Sequence, residues 1–92
     1  MLRYTFDDKA IELSETANGP DIEFHIHVLG DAAMHQRVRD IQHDFEHNHV
    51  ITDVLFYAFK NQEYQFIVRQ DFHEAFILSL MKHRLLTSVT WV

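Results

Sequence analysis

Between Asp21 and Val28 apolar and polar residues alternate without a break: Ile22, Phe24, Ile26 and Val28 fall on one side of an extended chain, and Glu23, His25 and His27 on the other. This alternation predicts a strand with one face in a core and a second face carrying two imidazoles. It recurs at Leu2 to Phe6 and at Ala10 to Ser14, where a tight loop at Asp8-Lys9 pairs Phe6 with Ile11 and Tyr4 with Leu13 on an apolar side. An N-terminal hairpin is therefore expected there. The segment Glu15 to Asp21 that follows holds Asn18-Gly19-Pro20, the strongest turn signal in the chain.

A second hairpin is predicted from Val50 to Phe59 and Glu63 to Arg69, with Asn61-Gln62 at its tip. An even-numbered loop sets Phe59 opposite Tyr64, Tyr57 opposite Phe66 and Leu55 opposite Val68, and this face is assigned to the core. The other face then carries Val54, Phe56, Ala58 and Ile67 with Gln65 and Arg69, which is too apolar for an ordinary wet surface. Thr87 to Val92, β-branched and containing Trp91, reads as a closing strand.

Elsewhere the pattern is helical. Met34, Val38, Ile41 and Phe45, spaced four, three and four, predict a helix from a cap at Asp31 to about His47, with Asn48 as a left-handed stop. Asp71 followed by Glu74 forms a capping box that opens a second helix running to about Arg84. Phe72, Ala75, Phe76, Leu80 and His83 line one side of it, and Ile77, Leu78 and Met81 widen the apolar arc, so burial on more than one side is expected.

From Ile22 onward the order strand, helix, strand, strand, helix, strand resembles that of ferredoxin-like domains. The expected class is α+β: an N-terminal β-hairpin followed by a ferredoxin-like βαββαβ unit, its antiparallel or mixed sheet carrying two helices on one face, all in one domain over residues 1–92. A meander that joins the first hairpin to Ile22–Val28 is the alternative. Resemblance of element order implies no activity, because this arrangement hosts many.

Composition narrows the functional classes. With 92 residues, 47% of them hydrophobic, and no cysteine, folding rests on packing alone. No apolar run has the length of a signal peptide or a membrane span, so a cytoplasmic protein without membrane contact is expected. A net charge of −6, with Lys82-His83-Arg84 as the one short basic run, argues against nucleic acid. Histidine is over-represented at eight residues, and protonating all of them takes the formal charge from −6 to +2.

Three groups of residues are candidates for chemistry. His43-Asp44-Phe45-Glu46-His47 matches H-x-x-E-H, the inverted zinc-peptidase motif, in which helical spacing brings two imidazoles to one face. A catalytic zinc needs a third ligand, and peptidases with this motif resemble much larger proteins, so the expectation at His43 and His47 is a divalent metal without catalysis. His25 and His27 stand on one face of their strand roughly 7 Å apart, a spacing that suits a shared metal, a proton-transfer pair, or hydrogen bonds across the sheet to Gln65 and Arg69. Val54, Phe56, Ala58 and Ile67 complete the third group, an open sheet face that includes His25, His27, Gln65 and Arg69 and that calls for cover by the N-terminal hairpin, a homodimer contact or a ligand pocket. Dimeric α+β-barrel proteins resemble this layout, since two such faces close on each other around a small cavity.

The function these features favour is binding, through self-association as a homodimer or through a protein partner. A small-molecule enzyme of isomerase or oxygenase type, with its pocket over the open face, is the alternative, and histidine-based metal binding is a third.

Overall fold

The computed structural model describes residues 2–30, 32–47 and 54–92. Among the described residues six strands and two helices follow one another as β1 (Leu2–Thr5), β2 (Ile11–Asn18), β3 (Asp21–Val28), α1 (Ala32–Glu46), β4 (Leu55–Ala58), β5 (Glu63–Arg69), a 3-10 turn at Gln70–Phe72, α2 (His73–Lys82) and β6 (Ser88–Trp91). They build two antiparallel sheets, one of four strands in the order β2-β3-β5-β4 and one of two strands, β1-β6. The class is α+β. The caps expected at Asp31 and Asn48, and the first residues of the strand expected from Val50, lie outside the described residues.

The hairpin nearest the N-terminus is β2-β3, turned by Gly19-Pro20 with Gly19 at φ 61°. Its register sets Ile11 against Val28 and Leu13 against Ile26, which extends the apolar face of β3 outward. Leu2–Thr5 does not join Ala10–Ser14 but pairs with β6, Leu2 opposite Trp91 and Thr5 opposite Ser88. Closing a two-residue loop costs little chain entropy, so β2 takes the edge beside β3. In the ferredoxin-like order that edge belongs to the last strand, and here β6 finds its partner in β1 instead. The rest of the expected unit is present: β3 and β4 run parallel, joined through α1, with β5 between them.

The core lies between one face of the large sheet and the helices. Phe24, Ile26, Val28, Phe66 and Val68 point into it from the sheet, Met34, Val38 and Ile41 from α1, and Phe76, Ile77 and Leu80 from α2. Phe45 completes the α1 stripe and stacks on Phe76, ring centres 5.3 Å apart. On α2 only one face is buried, and Leu78 and Met81 are exposed. The expected capping box is absent too: the 3-10 turn precedes the helix, and no side chain caps its N-terminus. At the other end Leu85 N–H donates to the Leu80 carbonyl and Arg84 N–H to that of Met81, both at 3.0 Å, with Arg84 at φ 62°. This is a Schellman stop, and it folds Leu85 and Leu86 back into the core. No helix among the described residues is long and apolar enough to cross a membrane.

Candidate functional site

The large sheet has a second face, which neither helix covers, and the strand register sorts it into rows. Glu12, His27 and Glu63 form the first, ending near Phe59, whose backbone N–H donates to Glu63 at 2.8 Å. Ser14, His25, Gln65 and Tyr57 form the second, and Thr16, Glu23, Ile67 and Leu55 the third. Asn18, Asp21 and Arg69 make up the fourth. The first three rows run from polar on β2 to apolar on β4 or, at Phe59, just past its end. Shallow depressions lie at both ends of this face, one of about 440 Å³ against His25, His27, Glu12, Glu63 and Phe59, the other of about 410 Å³ against Leu55, Ile67, Asp21 and Arg69.

His25, His27, Gln65, Ile67 and Arg69 thus occupy the face on which the alternation places them. Val54 and Phe56 do not. The loop at the tip is Lys60–Gln62, an odd number, with Asn61 and Gln62 both left-handed. One residue of slip turns β4 over. Phe56 therefore faces the core, with its ring 4.8 Å from that of Phe66 and 5.9 Å from that of Tyr64, and Val54 packs against the core as well. Leu55, Tyr57 and Phe59 take the open side, 50%, 46% and 52% exposed.

The histidines divide by environment. His27 Nδ1 lies 3.7 Å from Glu12 Oε2 with both side chains well exposed, a weak contact. Three others tie elements together in ways that local spacing could not reveal: His35 Nδ1 and the Tyr64 hydroxyl share a hydrogen bond of 2.6 Å, His73 Nε2 donates to Glu15 Oε1 at 2.7 Å, and His83 Nε2 donates to Asp44 Oδ2 at 2.5 Å. His43 lies in the last turn of α1 and His47 just past its end, and His49 lies outside the described residues. Among the described residues no group of three or more His, Cys, Asp or Glu could hold a metal ion, so the third ligand of a zinc peptidase is not found there.

Glu15 also accepts a hydrogen bond from the Tyr4 hydroxyl, so one carboxylate joins the small sheet, the large sheet and α2. Burial raises the Tyr4 pKa well above the ordinary phenol value, and the hydrogen bond and negative charge of Glu15 raise it further. The folded chain therefore keeps this proton where the unfolded chain, above about pH 10, gives it up. The stabilisation due to Tyr4 is complete below that pH and is lost as pH rises beyond it. Urea midpoints at pH 9 and pH 11 should accordingly fall further apart in the wild type than in Tyr4→Phe, and equal losses would show that the phenol is not held this way.

Compared with known protein families, with curated proteins and with solved structures, the chain matches none. The geometry of its own residues carries the functional reading.

Proposed function

We propose that this protein acts by binding, and that the open sheet face is its contact surface, with a second copy of the chain as partner. The observation that carries this is the column Leu55, Tyr57, Phe59: three large apolar side chains, each about half exposed, in line along the edge strand β4 and the residue that follows it, with Ile67 beside them. A solvated sheet face alternates toward polar residues at such positions, and an apolar column rimmed by polar rows marks an interface.

The face is complementary to itself. A two-fold axis lying across the strands at the Tyr57 row sets β4 over its own image, Tyr57 against Tyr57 and Leu55 against Phe59. The same operation brings the His27 row of one copy over the Glu23 row of the other, imidazole toward carboxylate, and lays the depression beside Phe59 over the one beside Leu55. An isologous contact of this kind closes on itself and stops at two copies. Strands of eight, eight, four and seven residues, about 4.8 Å apart and rising about 3.4 Å per residue, cover roughly 440 Å² in projection. With side-chain relief this reaches the lower end of specific interfaces, at about 600 Å² per partner, so association in the micromolar range is expected.

Light scattering at increasing concentration should show the mass rise from 11.0 kDa to twice that value. Tyr57→Glu should hold it at the monomer by placing an unpaired charge on the axis, whereas Leu78→Glu, at an exposed apolar position on α2, should leave the dimer intact. A wild type that stays monomeric up to several hundred micromolar sinks the reading. The small-molecule alternative is favoured by the 440 Å³ depression alone, and it requires a compound that protects the monomeric Tyr57→Glu variant against heat.

A further inference from the structure

We propose that His43 and His47 form a two-imidazole chelate for a divalent transition metal, copper(II) foremost, at the C-terminal end of α1. The two residues are one helical turn apart, joined by the backbone bond from His47 N–H to the His43 carbonyl at 3.2 Å. Their ring centres lie 4.3 Å apart with the planes tilted by 48°. Both side chains are exposed, and neither imidazole has a hydrogen-bond partner among the described residues.

The neighbouring acids are engaged elsewhere. Asp44 accepts from His83 at 2.5 Å and lies 4.0 Å from Lys82 Nζ, and Glu46 accepts from Gln42 Nε2 at 2.8 Å. The donor set is therefore two nitrogens, with water completing the coordination. Imidazole selects borderline metals over magnesium or calcium, which demand oxygen. Position helps as well, since the carbonyl end of a helix carries partial negative charge and favours a cation.

Ring spacing is compatible with chelation. A metal–nitrogen bond of about 2.0 Å puts each ring centre about 3.2 Å from the ion, so two imidazoles at right angles have centres about 4.5 Å apart, and at the tetrahedral angle about 5.2 Å. The observed 4.3 Å, between two exposed side chains, lies within easy reach of both arrangements, and copper(II) is placed first because it heads the affinity series for nitrogen donors. Zinc would bind at the same pair, more weakly, after the rings spread.

Copper(II) should be titrated into the full chain at pH 7.5 against a weak amino-acid competitor, followed by electron paramagnetic resonance. The expected result is a tetragonal copper signal split by two equivalent nitrogens, and affinity at least tenfold weaker in both His43→Ala and His47→Ala, because each removes the chelate. His25→Ala/His27→Ala should retain the site unchanged. Far-UV circular dichroism checks that α1 survives the substitutions, and copper should raise the melting temperature of the wild type but not of the His43 variant. Equal copper affinity in wild type and His43→Ala overturns the proposal, as does a tight site that disappears with His25 and His27.

Discussion

Phe76→Ala should cost this protein about 3–5 kcal/mol of folding stability, the range found when a buried phenylalanine is truncated in a packed interior. Phe76 is fully buried and belongs to α2, yet its ring lies 4.5 Å from Phe24 on β3, 5.1 Å from Phe66 on β5 and 5.3 Å from Phe45 on α1. Those elements meet on this one side chain, so the cavity cannot be closed by the shift of a single neighbour. A chain of this size has a total stability of roughly 5–14 kcal/mol. The loss is therefore a large part of the whole, and far-UV circular dichroism in urea should show the midpoint collapse. Trp91 is too exposed to serve as the probe. A change within about 0.5 kcal/mol, the size expected of a surface substitution, would mean that the aromatic cluster is not packed as described.

Aspartate at two adjacent positions should have opposite consequences. Phe56→Asp puts a carboxylate against Phe66 and Tyr64 with no partner to receive it, and should destabilise by at least about 3 kcal/mol. Tyr57→Asp lies on the open side, half exposed, and should change stability by less than about 1 kcal/mol while abolishing self-association. Denaturation of both variants, read beside their masses in solution, tests the register of β4 directly. If Tyr57→Asp is the damaging change, β4 is paired one residue out and the open face is built from Phe56 and Val54 after all.

What the sequence could and could not reveal follows from the range of each signal. The alternation through β3 and the four-three-four stripe of α1 are local, and both stand in the structure with the expected residues inward. His25, His27, Gln65, Ile67 and Arg69 share a face for the same reason. The orientation of β4 depended on whether the loop before Glu63 holds an odd or an even number of residues, and either parity gives an apolar face, because Leu55, Phe56, Tyr57 and Phe59 are all large and apolar. A strand that is hydrophobic on both sides does not announce its inner one. Pairing of β1 was harder still. Tyr4 and Phe6 match Ile11 and Leu13 as well as any partner, and nothing local in the chain shows that Leu2–Thr5 leaves the outer edge of β2 unpaired and joins a strand more than eighty residues away. The bridges from His73 to Glu15 and from His83 to Asp44 depend on that outcome and on the placement of the helices, so no spacing in the chain encodes them.

The β1-β6 pair has a mechanical consequence. Leu2 lies opposite Trp91, so a load applied through the two ends of the chain enters this sheet at one edge and pulls across the strands, along the direction of their hydrogen bonds. The bonds then carry the force one after another, as a zipper does, instead of sharing it as they would in shear. Thr5, hydrogen-bonded to Thr87 at 2.7 Å and to Ser88 at 2.6 Å, sits at the far end of the zipper, and the contact of Tyr4 with Glu15 comes just before it. Pulled by its ends, the molecule should open first at this small sheet and at low force, with the four-stranded sheet and its aromatic core still closed behind it.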